Sequence, residues 1–582
     1  MYTPKTGSES LGYQIDMYLT ETTKAELTYD AIVIGSGISG GWAAMELCRK
    51  GLKVLLLERG RNVEHVKDYP TALLNPWDFK LGFNNTAKDK EDDPIQSQFY
   101  TPADKHFYIR DKDHPYIQEK PFTWIRGYQV GGKSLTWGRH CYRLSDLDFE
   151  ANAKEGIAID WPIRYKDIEP WYTYVENHIG ISGKAEGLSQ LPDNQFVGHW
   201  DLNCVEEHLR DSIKKHDPIR VLTNARVANL TKTWDGRGPC QERNLCSRGC
   251  PFGGYFSSNS STIPAALATG NLTLRPFSIV SEIVYDEQKQ RASGVNVIDT
   301  NTNEKITFSA KIIFVNASTI GSTSILLQST SHRFPNGLGN DSGQLGKNLM
   351  DHTSAAGAYG LLHGKYLDSY YKGRRPEGFF IPRFRNLKDG ENLGFKRGYN
   401  FQGHGERQEW MDSTRYMVEE FGEDFKHRMT TPGPWTVWMQ GWGECLPYET
   451  NTVMLSDQKD KWGLPLVKIS FEYGDNEHKM IDDIRQTSLD MLTQAGFTDI
   501  DSFKYNKPGG STIHEMGTAR MGKDPKTSVL NGNNQLHAVK NVFVTDGSCM
   551  VSSASQNPSL TYMALTARAC DFAVDELKKQ NI

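Results

Sequence analysis

The sequence predicts an α/β protein in which a parallel-sheet domain carries an inserted second domain built on an antiparallel sheet with helices. Three observations predict it. First, Tyr29–Ile34, Trp42–Lys50 and Lys53–Glu58 read in order as buried strand, helix and strand. Second, after Asp351 this rhythm gives way to aromatic, Gly-rich sequence as far as about Phe503. Third, the chain then returns to a strand (Asn541–Thr545), a Gly-containing turn and a long helix (Leu560–Lys578). At 582 residues it exceeds one ordinary core, so two packed domains are expected.

In chain order, residues 1–28 form a polar leader with no assigned fold. The first domain takes residues 29–145, 221–352 and 504–582, and the second takes 146–220 and 353–503. Residues 60–125 are rich in charge and poor in periodic runs, which predicts a long loop region that covers something. Arg291–Ile298 and Lys311–Asn316 read as strands of the first domain, and Asn476–Ala495 as a helix of the second.

Composition excludes several classes. With 66 basic and 71 acidic side chains the net charge is −5, so nothing marks nucleic acid as a partner. No apolar stretch approaches the roughly 18–20 residues of a transmembrane segment. The first 30 residues contain no apolar signal region. The chain therefore reads as cytoplasmic, or as periplasmic if exported with a signal-bearing partner. Nine cysteines spread over this length do not read as a disulfide framework.

The chemistry begins at Gly35-Ser-Gly37-Ile-Ser-Gly40, between the first strand and the first helix. Glycines permit a tight turn and close approach to a diphosphate, which the N–H groups of a helix start then hold. Glu58, ending the second strand, can accept hydrogen bonds from a ribose diol. This predicts a dinucleotide, without separating NAD from FAD.

Three further segments decide between them. They are Gly127–Arg139, containing Gly131, Gly132, Ser134 and Thr136; Asn316–Leu327 with Gly346–His352; and His514–Gly522 with Val544–Ser548 and Asn557–Thr561. In order and composition they resemble the glucose–methanol–choline (GMC) oxidoreductase family. The texture is nearest to bacterial FAD-dependent glucoside 3-dehydrogenases, gluconate 2-dehydrogenase large subunits and pyranose 2-oxidase. The resemblance implies a Rossmann-like FAD-binding domain, with the inserted domain binding substrate. It implies that Gly131, Gly132 and Ser134 contact the flavin, that Asp546 and Gly547 meet phosphate and ribityl groups, and that Val280 meets adenine through its backbone. Thr561 presents its N–H towards the flavin pyrimidine. His514 becomes the base that takes the hydroxyl proton, an imidazole suiting this by its pKa, and Asn557 orients the hydroxyl beside it. His352 and His537 read as structural histidines. Thr136 stands where pyranose 2-oxidase carries its flavin-linked histidine, and threonine offers no imidazole, so non-covalent FAD is expected.

Cys240, Cys246 and Cys250, followed by Pro251, form a C-x5-C-x3-C-P segment. Clustered thiolates suit iron, and the resemblance implies a [3Fe-4S] cluster passing electrons towards a small subunit and a cytochrome acceptor. That favours a dehydrogenase over an oxidase. A zinc site wanting a fourth ligand, or plain reduced thiols, are the alternatives.

No aromatic cage for a quaternary ammonium can be located. Tyr371–Phe380 and Tyr399–His404 resemble substrate-domain sequence of bacterial glucoside 3-dehydrogenases and gluconate dehydrogenases. Their interleaved aromatics and polar residues suit pyranose recognition, and Gln402 and His404 are the expected substrate contacts. The expected reaction is oxidation of a sugar or glycoside hydroxyl, favouring C3 of a pyranoside. The alternatives are a gluconate 2-dehydrogenase-like or C1/C2 sugar enzyme, and a flavin electron-relay subunit without its own substrate.

Overall fold

The computed structural model describes residues 27–370, 373, 375–388, 391, 393–408, 421–430 and 433–582. All but two residues of the polar leader, and Tyr371, Lys372 and Arg374 of the expected substrate segment, lie outside the described residues.

The first sheet grows from Thr28–Ile34, whose buried apolar run suits a strand covered on both faces. It pairs in parallel with Val54–Leu57 on one side and with Lys305–Val315 on the other, and Leu272–Arg275 extends the first of these edges. Lys305–Val315 divides its labour. Its first half pairs antiparallel with Arg291–Asp299, while its second half lies between Thr28–Ile34 and Val542–Val544. The helix Ile38–Arg49 is buried from Ser39 to Cys48 and packs against the terminal helix Ser559–Lys578.

A second, six-stranded sheet runs in the order Thr498–Lys504, Ala356–Leu362, Trp435–Gly443, Tyr399–Arg407, Phe379–Ile381 and Thr223–Asn224, all antiparallel. The helix Asp475–Gln494 covers one face, burying Met480, Ile484 and Met491 at helical spacing, with acidic residues in its first turn. These residues and Val205, Leu209 and Ile213 of the helix Cys204–His216 make a second hydrophobic core, apart from the larger core around the first sheet. A third sheet, Met516–Thr518, Lys347–Met350, Thr452–Lys459, Pro465–Ser470 and Ile117–Gln118, draws its strands from distant parts of the chain. Among the described residues no helix is long and apolar enough to cross a membrane.

Candidate active site

A cavity of about 1290 Å³ runs from the glycine turn of the first sheet to the face of the antiparallel sheet. This exceeds the ~300–1,000 Å³ of an ordinary small-molecule site.

At its nucleotide end the turn after Thr28–Ile34 is very close. A Cβ on Gly40 would stand 1.8 Å from the Gly35 carbonyl oxygen, and Gly35 itself lies at φ +94°. Only glycine fits both conditions. Gly35, Gly37, Glu58, Gly132, Ser134, Thr136, Val280, Asp546 and Gly547 line the cavity. Glu58 is buried, which raises its pKa, and its carboxylate accepts from Ser36 N–H (3.2 Å), Ser36 Oγ (2.6 Å) and Gly60 N–H (2.9 Å). Asp546 is likewise raised by burial and accepts from Ser548 N–H at 3.1 Å. Gly131, at φ +91°, donates its N–H to the Ser36 hydroxyl oxygen at 3.0 Å and so docks the two glycine segments on each other. The side chain of Thr561 turns to Tyr172 Oη at 2.8 Å, while its neighbours Pro558, Ser559 and Tyr562 face the cavity.

At the other end His514 and Asn557 meet, with Asn557 Nδ2 3.4 Å from His514 Nε2. His514 follows Ile513, a β-branched residue at φ +62°, where such side chains are strained. The buried Asp351 carboxylate holds this turn, accepting from the backbone N–H of Thr512 at 3.3 Å and of His514 at 3.2 Å. Burial above all, then His352, Lys133 and His140, pushes the His514 pKa well below the ordinary imidazole value.

The antiparallel sheet supplies the facing wall. Register sets Asn400 opposite Trp442, Gln402 opposite Gln440 and His404 opposite Trp438. The alternation of strand side chains puts these six on one face. Gln402, His404, Trp438 and Trp442 line the cavity, and the Trp442 ring lies 5.3 Å from that of His514. Gln402 does not simply await a substrate, because its Nε2 donates to Asn557 Oδ1 at 2.7 Å. His352, read from sequence as a structural histidine, is in the site, its Nδ1 2.9 Å from His514 Nδ1. Its signal was the Met-Asp-His ending of Gly346–His352, which the motif reading assigned to the nucleotide domain. His537 is away from it, bonded to Ser528 Oγ at 2.9 Å.

Charged groups complete the wall. Lys133 pairs with Glu515 at 3.0 Å. Burial raises the Glu377 carboxyl, but the adjoining Arg139 outweighs it and brings the pKa down to about 2. Several buried polar atoms lining this cavity have no hydrogen-bond partner within the protein: Asn316 Oδ1, Glu515 Oε1, Trp442 Nε1 and Arg139 Nε. Buried polar atoms are normally paired, so these mark a space made for a polar ligand. The glycine turn and Glu58 at one end and the His–Asn pair at the other fit FAD together with a hydroxylated substrate.

The cysteine segment does not fit its expected cluster. Cys240 Sγ accepts from Glu242 N–H at 3.4 Å and Cys250 Sγ from Gly254 N–H at 3.3 Å. Burial pushes the Cys240 thiol up to about 11 and raises that of Cys246. Among the described residues no group of three or more His, Cys, Asp or Glu side chains could hold a metal ion. The [3Fe-4S] expectation at Cys240, Cys246 and Cys250 is therefore not supported, and no electron step is derived through them.

Two models of the GMC oxidoreductase family match the chain, over residues 29–354 and 447–566. It is 28% identical to the 2-methyl-1,2-propanediol dehydrogenase of Mycolicibacterium austroafricanum, covering 95% of this chain and 96% of that one. It is 25% identical to the fructose dehydrogenase large subunit of Gluconobacter japonicus, covering 95% and 99%. The solved structure of pyridoxine 4-oxidase from Mesorbium loti shares the fold at a TM-score of 0.59 and 16% identity, covering 94% of this chain and 99% of that one.

Proposed function

Since the chain belongs to the GMC oxidoreductase family, whose members are FAD enzymes acting on CH–OH groups, we propose that it is a dehydrogenase of sugars or glycosides, oxidising a secondary hydroxyl and favouring C3 of a pyranoside. The observation that carries this reading is the His514–Asn557 pair facing a wall of alternating tryptophans and amides. Tryptophan faces stack on the C–H faces of a pyranose while amides and imidazoles bond its hydroxyls, and Trp438, Trp442 and His404 offer both kinds of contact.

His514 Nε2 takes the hydroxyl proton, and Asn557 Nδ2 holds the hydroxyl oxygen. FAD, when bound, supplies the acceptor for the hydride that leaves the same carbon. Gly35, Gly37, Gly40, Glu58, Gly131, Gly132, Ser134, Val280, Asp546 and Gly547 would hold it, with the first-turn N–H of Thr561 towards its pyrimidine edge. Thr136 gives no imidazole for a covalent link, so the cofactor would be dissociable.

A dehydrogenase is favoured because the two relatives above both bear that name. The name "large subunit" in one of them supports a partner subunit for this chain too, and a cytochrome as acceptor is part of the same proposal. Action in the cytoplasm, or in the periplasm beside a signal-bearing partner, belongs to the same proposal.

The test is an anaerobic dye-coupled assay with methyl glucoside, glucose, gluconate, fructose and 1,2-propanediol, with NMR locating the new carbonyl. A 3-keto glycoside is expected. Turnover of the diol alone would overturn the sugar reading, and electron transfer without any alcohol substrate would favour the relay alternative.

A further inference from the structure

Two side-chain relays run back from the His514 ring and the Asn557 amide to one turn, and they have a direction. A backbone carbonyl can only accept. His352 Nε2 faces the carbonyls of Ala554 at 2.9 Å and Ser553 at 3.3 Å, so it carries the proton. A neutral imidazole protonated there keeps a lone pair on Nδ1. That lone pair faces His514 Nδ1 at 2.9 Å, so His514 carries its proton on Nδ1 and its lone pair on Nε2.

The same logic runs on the other side. Asn400 Nδ2 donates to the Ser555 carbonyl, leaving Asn400 Oδ1 to accept from Gln402 Nε2 at 3.4 Å. That nitrogen also donates to Asn557 Oδ1 at 2.7 Å, which turns Asn557 Nδ2 towards His514 Nε2. Both chains begin on three consecutive carbonyls, and both leave His514 Nε2 as an acceptor. The turn is strained, with Ala554 at φ +53°, and it is pinned by the Ser553 hydroxyl, which donates to the Cys445 carbonyl at 3.0 Å.

We propose that the carbonyls of Ser553, Ala554 and Ser555 fix the proton direction of the site, with His352 as the positioning residue that holds His514 in the tautomer able to act as base. This rests on the reading of His514 as the base. On oxidation the O–H bond of the substrate breaks and its proton joins Nε2, while Nδ1 keeps its own proton against the His352 lone pair. The C–H bond of the hydroxyl-bearing carbon breaks as the C=O bond forms, and FAD, when bound, would supply the acceptor for that hydride. The other titratable groups facing these rings are Lys133, paired with Glu515, and His140, Asp351 and Tyr473.

The test uses the resting holoenzyme with ¹⁵N-labelled histidine, the His514 signals being those lost in His514→Gln. A protonated Nδ1 and a bare Nε2 are expected, and a proton on Nε2 overturns the proposal whatever the turnover. His352→Leu should lower kcat at least about 10-fold, part of the range a general base supplies, with KM and flavin content kept. His352→Gln, whose amide keeps one donor and one acceptor, should regain most of that loss. Wild-type kcat in His352→Leu, or no recovery in a flavin-loaded His352→Gln, would refute it. Full turnover in His514→Ala would instead remove the reading beneath it.

Discussion

An imidazole serves as a base only while it is neutral, and the surroundings of His514, desolvation first, lower its pKa well below the ordinary imidazole value and so favour that form. As pH falls through its lowered pKa, Nε2 takes a proton and activity is lost; above that pKa the base form persists. The acid limb of kcat/KM is therefore expected below about pH 6.5, the ordinary imidazole value, and a limb at or above it would contradict this. His514→Ala should lower kcat by at least ~10²-fold with FAD retained, the usual scale for a lost general base. Asn557→Ala should cost less, because in the proposed reaction that side chain orients the hydroxyl and takes no proton. These two residues were legible in the sequence because a long motif surrounds them. The residues behind them were not. Gln402 read as a substrate contact because an amide among aromatics suggests one, whereas its nitrogen is committed to Asn557. His352 read as structural because a lone histidine shows no partner in sequence, and its partner stands 162 residues away.

At the scale of elements, runs buried on both faces were the easiest to read. Thr28–Ile34 and Val54–Leu57 lie within a residue or two of their expected bounds. The strand ending at Val315 was foreseen only from Lys311, since its first half alternates between exposed and buried residues and its second half is continuously apolar. The two halves differ because one faces solvent in a hairpin and the other is central to the parallel sheet. The third sheet was not foreseen, because strands as short as Ile117–Gln118 and Met516–Thr518 carry no periodic signal. Two substitutions test elements directly. Gly40→Ala drives a methyl group onto the Gly35 carbonyl, so the turn must open, and flavin absorbance per mole of protein should fall steeply. Ile484→Ala empties a fully buried position between the long helix and the antiparallel sheet and should cost about 2–5 kcal/mol in denaturant unfolding. Activity per bound flavin should survive that change at low temperature.

Over the whole molecule, the expectation from sequence is a parallel-sheet domain interrupted by an aromatic one. Among the described residues the two largest buried clusters lie around the first sheet and around the antiparallel sheet, and the larger also takes in Trp161, Tyr172 and Val467 from segments assigned to the second domain. The cavity is lined by segments from Ile34 to Tyr562, so its walls are drawn from nearly the full length of the described chain. A ligand that binds only the folded state adds RT ln(1 + [L]/Kd), about 2.7 kcal/mol at a hundredfold excess over Kd. Flavin should therefore be a large part of this protein's stability, while remaining removable because Thr136 offers no ring for a covalent bond. Acid precipitation is expected to leave FAD in the supernatant and a colourless pellet. Yellow colour staying with the pellet would mean a covalent link through some other side chain. Apoprotein prepared by gentle removal of FAD should melt below the holoenzyme, and its Tm should rise with added FAD in a concentration-dependent way. An unchanged Tm would show that the walls of the cavity hold each other without the cofactor, and that the unpaired atoms of Asn316, Glu515, Trp442 and Arg139 are not waiting for it.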